Sequence, residues 1–154
     1  MPFYHHKKTL ASNALTDLIR AVLRMNATAQ KSGTRMMRGT GITNARWQTL
    51  CELVALDYRI TVSELARYMG LSRQAVQRLA DDMASDGLVE FAENPGDGRA
   101  MHLLLTEAGK TTYYAALERE WQWTNTIAED FDEKQIARAV ELLEAITKKM
   151  QIND

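Results

Sequence analysis

Apolar residues recur every three or four positions over most of this chain, so helices are the first expectation. Between Lys8 and Lys31, Leu15, Leu18, Ile19 and Val22 fall at i, i+3, i+4 and i+7, the stripe of an amphipathic helix. Ser32-Gly33 is its expected stop. Residues 33–42 hold three glycines, two threonines and two arginines and read as a connector. Thr43 then has the hydroxyl of an N-cap, and Trp47, Leu50, Cys51 and Val54 stripe a second helix over roughly 44–56. Asp57-Tyr58-Arg59 is a short polar break.

Thr61-Val62-Ser63-Glu64 has the form of a capping box, a hydroxyl at the N-cap with a glutamate three positions on. Val62, Leu65, Ala66 and Met69 stripe the short third helix that follows, and Gly70 is placed to end it. Ser72 caps a fourth helix from about Arg73 to Ser85, striped by Val76, Leu79, Ala80 and Met83 and closed by Gly87. Leu88 to Ala92 and Ala100 to Leu105 have strand character and flank Glu93-Asn94-Pro95-Gly96-Asp97-Gly98-Arg99, which is dense in turn formers. A β-hairpin with a protruding tip is expected. Thr106-Glu107 opens a fifth helix reaching about Glu129. Asp132-Glu133-Lys134-Gln135 has the form of another capping box, and Ile136, Val140, Leu143 and Met150 stripe a sixth helix. The fold class expected is mainly α, with a small β element: a winged helix-turn-helix between N- and C-terminal helices.

Composition narrows this picture. With 154 residues, 45% apolar and 25% charged, the chain fits one globular domain with a sizeable core. A lone cysteine, Cys51, excludes an intramolecular disulfide framework and a cysteine-cluster zinc site. No run approaches 18 apolar residues, and the N-terminus lacks the pattern of a secretion signal, so a reducing, cytoplasmic setting is the expectation. The net charge of −1 conceals an asymmetry: residues 1–46 carry +7, while residues 47–106 and 107–154 each carry −4. From Arg59 to Ala80 there are four arginines against one glutamate, a local basic excess of the kind that polyanions favour.

The fourth helix carries the candidate chemistry. Gln74, Gln77, Arg78 and Asp81 lie opposite its apolar stripe, and Arg73 adds a cation in the first turn. Glutamine can bond adenine in two places and arginine can do the same to guanine. Both types sit in the N-terminal half, where recognition helices meet base edges, whereas Asp81, Asp82 and Asp86 fall in the half that would leave the duplex. The plainer reading is a solvated helix face. Metal chemistry is not indicated: His5 and His6 lie near the terminus, His102 stands alone on a strand, and no group has ligand spacing. Neither a nucleophile motif, a phosphate-cradling glycine loop nor a HExxH sequence occurs, so neither an enzyme nor a cofactor is expected.

From about Gly41 to Gly109 the chain resembles the MarR family, the multiple-antibiotic-resistance regulators. The resemblance is carried by Gly41-Ile42-Thr43, Val62-Ser63-Glu64-Leu65-Ala66, Leu71-Ser72-Arg73-Gln74-Ala75-Val76 and Asp86-Gly87-Leu88-Val89. Asn94-Pro95-Gly96-Asp97-Gly98-Arg99-Ala100 and Leu105-Thr106-Glu107-Ala108-Gly109 complete it. It implies a DNA-binding lobe over 43–106 and a helical dimerisation lobe from 8–31 and 107–150. It implies a homodimer whose two recognition helices enter successive major grooves of a pseudo-palindromic operator, acting as a repressor. Arg73, Gln74, Gln77 and Arg78 would then read bases, and Ser63 and Ser72 would sit near phosphates. Arg99 would enter the minor groove, with Asp97 orienting it or bracing a recognition-helix arginine; a local hairpin ion pair is the plainer role for the two. Gly98 departs from the family's usual basic residue there, and Glu90 and Glu93 temper the positive field.

The resemblance also raises a small aromatic or phenolic effector, with Trp47, Tyr113, Leu117 and Trp121 as candidate contacts, although aromatic residues at helical spacing more commonly serve as core. A redox role for Cys51 is disfavoured, because a thiol among apolar groups carries little thiolate. The alternative to a regulator is a winged-helix adaptor that binds a protein partner.

Overall fold

The computed structural model describes residues 9–57, 59–97 and 99–152; His5, His6, Tyr58 and Gly98 lie outside them. The chain forms two compact units divided after Tyr113. Among the described residues, no helix is long and apolar enough to cross a membrane.

Helix α1 spans Leu10–Met36, with the Thr9 hydroxyl accepting from the Ser12 amide. It continues five residues past the expected boundary at Lys31. Gly33 does not stop it, because this glycine serves packing rather than capping. A Cβ there would stand 2.2 Å from Oδ1 of Asn44, whose side-chain amide donates to Gln30 at 2.7 Å. The absent side chain lets the end of α1 lie against the start of α2, Asn44–Ala55.

In α2 the buried positions are Trp47, Thr49, Leu50 and Leu53. The expected stripe is thus rotated: Cys51 and Val54 are only half-buried, and Leu53 is fully enclosed. Strand β1, Arg59–Thr61, occupies part of what the sequence presents as a polar break. Helix α3, Val62–Met69, follows at once behind the capping box at Thr61 and Glu64, and ends on Gly70 with φ of 64°. Helix α4, Arg73–Ser85, begins on the Ser72 hydroxyl, which accepts from the Ala75 amide at 3.2 Å. Past its end Gly87 takes a φ of 72°, so that the Leu88 amide can reach the Met83 carbonyl at 2.9 Å.

Strands β2, Val89–Ala92, and β3, His102–Leu105, form the expected hairpin, with Val89 opposite Leu105 and Ala92 opposite His102. β1 pairs antiparallel with the other edge of β3, giving a three-stranded sheet of order β1-β3-β2. The core of this unit gathers Leu50, Leu53, Leu65, Val76, Met83 and Leu103, each 0% exposed. The Arg46 guanidinium meets the Asp86 carboxylate at 2.6 Å and ties the start of α2 to the end of α4.

Helix α5, Glu107–Ala128, starts on a clamp. The Thr106 hydroxyl accepts from the Gly109 amide and shares its one proton between the Gly87 carbonyl at 2.6 Å and the Leu88 carbonyl at 3.0 Å. In the second unit, α6 spans Glu133–Gln151. Its expected capping box is not formed. Asp132 has the extended backbone of an N-cap, yet its side chain makes no cap hydrogen bond, and its carbonyl alone accepts from the Gln135 and Ile136 amides.

Candidate nucleic-acid interface

The tight turn Gly70-Leu71-Ser72 sets α4 against α3, and the apolar stripe of α4 fixes its rotation by burying Val76, Ala80 and Met83. Its polar residues therefore point outward in two rows rather than one face. Arg73, Gln77 and Asp81, each one turn from the next, line a cleft of about 310 Å³ between the helix pair and the wing. Ser63 from the first turn of α3 and Arg99 from the wing line the same cleft, over an apolar floor that includes Phe91 and Met101. Gln74 and Arg78 form the second row, exposed and outside that lining. Ser72 is also exposed, and its hydroxyl oxygen is engaged in capping.

Three guanidinium groups are therefore presented from two elements. Arg73, Arg78 and Arg99 are exposed, and none enters an ion pair among the described residues. Exposed cations at the N-terminal half of one helix and on an adjacent hairpin match what an anionic backbone requires.

The hairpin tip is held by its own side chains. Asn94 Oδ1 accepts from the Gly96 amide at 2.9 Å, and Asp97 Oδ1 accepts from the Arg99 amide at 3.0 Å. Asp97 thus contacts Arg99 through its backbone, and it forms no ion pair with a recognition-helix arginine among the described residues. Gln77 is also engaged: its side-chain amide donates to Asp81 Oδ1 at 2.8 Å. Sequence reasoning placed Asp81 in the half of α4 that leaves the duplex, whereas the fold sets it in the cleft. The spacing of four between Gln77 and Asp81 was the available signal.

The candidate effector contacts divide between the two units. Trp47 is 4% exposed, and its ring stacks on Tyr113 with centroids 5.3 Å apart and planes 17° from parallel. In the second unit Leu117 is half-buried and Trp121 is 58% exposed. Cys51 borders a cavity of about 230 Å³ with Asn26, Gln30, Gln48, Glu52, Tyr68 and Met69, a more polar setting than its place on the helical stripe implied. No group of three or more His, Cys, Asp or Glu among the described residues is placed to hold a metal ion.

Comparison with known proteins places this geometry. The MarR family profile matches residues 40–100, from the connector before α2 to the wing. An uncharacterized protein of Mycobacterium tuberculosis is 35% identical over 121 residues, covering 79% of this chain and 83% of that protein. The transcriptional repressor MprA of Escherichia coli K12 is 31% identical over 93 residues, covering 60% of this chain and 53% of its own. In fold, the chain is similar to a mutant MarR from E. coli crystallised with operator DNA. The TM-score is 0.70 at 23% identity, covering 87% of this chain and 96% of that one.

Proposed function

The chain belongs to the MarR family of winged helix-turn-helix, DNA-binding transcriptional regulators, and we propose that it acts as a homodimeric, sequence-specific repressor on a pseudo-palindromic operator. The observation that carries this reading is the convergence of Ser63, Arg73, Gln77 and Arg99 on one cleft, with the guanidinium groups of Arg73, Arg78 and Arg99 in no ion pair among the described residues. Arg73, Gln74, Gln77 and Arg78 read base edges from α4. Ser63 and Ser72 lie at helix starts suited to phosphate. Arg99 enters the minor groove from a wing tip that Asp97 shapes through the Arg99 amide. The repressor sign rests on the name of the E. coli relative MprA.

Dimerisation is supported by exposed apolar side chains on helices that lie outside the helix-turn-helix. On α1 these include Leu15, Ile19 and Leu23, and on α6 Ile136, Val140 and Leu142. An aromatic or phenolic effector is the proposed release signal. At Trp47 it would have to displace Tyr113, whose ring already covers that face. In the second unit, Leu117 and Trp121 are the remaining proposed contacts.

The test is binding to duplex DNA from around the protein's own gene, titrated against salt, with random DNA as control. The expected result is a site-selective complex of two protomers that weakens steeply with salt. Equal, weak binding to both DNAs would favour the other reading, a winged helix that serves a protein partner.

A further inference from the structure

Gln77 and Asp81 lie one turn apart on α4, and the Gln77 side-chain nitrogen is 2.8 Å from Asp81 Oδ1. Both line the cleft; Gln77 is half-buried and Asp81 exposed. A carboxylate only accepts hydrogen bonds, whereas a glutamine amide has a donor end and an acceptor end. The pairing therefore settles which end is which. The nitrogen must face Asp81, and the carbonyl oxygen is turned away from it. One amide N–H is taken up by Asp81, while the second N–H and the oxygen stay available to a partner. Without the carboxylate, the amide could present either end.

We infer that Asp81 is a positioning residue for specificity, which locks the Gln77 amide in the donor–acceptor order that reads adenine. In the major groove adenine offers an acceptor at N7 and a donor at N6, while guanine offers two acceptors. A locked Gln77 matches adenine with one N–H and one oxygen. Against guanine its oxygen would face another acceptor, and the bond to Asp81 keeps the side chain from swinging away from that clash. Neither Arg78, three residues before it, nor Arg73, two turns away on the same row, makes an ion pair with Asp81, so the carboxylate is engaged with the glutamine rather than with a cation of the same helix. A negative charge this close to a proposed phosphate-binding surface lowers affinity for any duplex, and selectivity is the compensating gain. The inference deepens the proposed base-reading role of α4 and rests on it.

The experiment is selection of bound duplexes from a random pool by the full chain, its Gln77→Ala variant, and the Asp81→Ala and Asp81→Asn variants. The wild type is expected to enrich a site with one adenine preference per half that Gln77→Ala abolishes. A good bidentate pair supplies roughly 5- to 150-fold discrimination. At that position Asp81→Ala should lower the adenine-to-guanine ratio by about fivefold or more. Asp81→Asn should lower it as well, since its side-chain amide can either accept from the Gln77 nitrogen or donate to the Gln77 oxygen and so no longer fixes the order. Both variants remove a negative charge and should hold random DNA more tightly, so the base ratio at that one position is the readout. Preferences elsewhere in the site should persist. If both Asp81 variants keep the wild-type ratio there, the lock is overturned while the DNA-reading function stands. If Gln77→Ala alters no position, or alters one that does not prefer adenine, the lock is likewise overturned. If the wild type enriches no sequence at all, the proposed function falls and the lock with it.

Discussion

Arg78 is exposed in the outer row of α4, without an ion-pair partner among the described residues, and its fork is free for a guanine edge. Its replacement by alanine should cost about 1–3 kcal/mol of operator binding and relax preference at one base position. Competition assays with single-base operator variants check this; a loss equal across all variants would show that Arg78 meets only phosphate. Glu64 shows a different kind of residue-scale control. The Thr61 hydroxyl donates to its carboxylate at 2.6 Å, and the Thr61 amide does so at 2.9 Å. These bonds, the hydroxyl's foremost, hold the Glu64 pKa below its ordinary value of 4.5. A carboxyl with a lowered folded pKa stabilises the fold fully above the unfolded value and loses that contribution as pH falls through the folded one. Glu64→Gln retains an acceptor but not the charge at the first turn of α3. It should be less stable by about 0.3–1 kcal/mol at neutral pH, and the gap should close in acid. Denaturant melts at pH 7 and pH 3 measure that gap, and a gap independent of pH would assign the effect to packing.

At the scale of elements, the clamp between α5 and the strand lead-in depends on one missing side chain. A Cβ at Gly109 would lie 2.1 Å from the Leu88 carbonyl oxygen and 2.5 Å from a Leu105 methyl. The first obstacle is backbone, held by the Thr106 amide and hydroxyl, so it cannot simply swing aside. Gly109→Ala should therefore destabilise by about 1–3 kcal/mol, although alanine is the better helix former. Urea melts that show a gain instead would mean that α5 shifts freely. This glycine and Gly33 show where local pattern loses meaning. Both sit inside helices because another segment approaches closely, a contact that sequence distance hides. The caps at Thr61 and Ser72 and the turn at Gly70 were legible because their bonds span only a few residues. β1 was not, because three residues become a strand only when β3 lies beside them. The residue types that line the cleft were legible, but not their division into rows. Whether Gln77 faces the wing and Gln74 does not depends on where the hairpin packs, and no spacing along α4 encodes that.

For the whole molecule, the sign of the charge is less informative than its placement. A chain with a net charge of −1 gains no general attraction to DNA, so the salt dependence must come from local cations. If Arg73, Arg78 and Arg99, seated in the grooves, each displace one condensed counterion in both protomers of a dimer, log K should fall against log salt with a slope of about −5. The proposed pairing of two copies would cover the apolar surface that the terminal helices leave open, with Ile136 44% and Val140 49% exposed in the single chain. A chain carrying Ile136→Glu and Val140→Glu places two carboxylates per protomer on that surface, and pairing would then have to desolvate all of them. Sedimentation should show the wild type at twice 17.4 kDa and the double variant at 17.4 kDa. The variant should engage one half-site at a time, with the salt slope roughly halved and affinity for the full operator lower by on the order of 100-fold. Circular dichroism of the variant distinguishes this outcome from unfolding. A folded variant that still sediments as a dimer with an undiminished slope would move the interface away from α6.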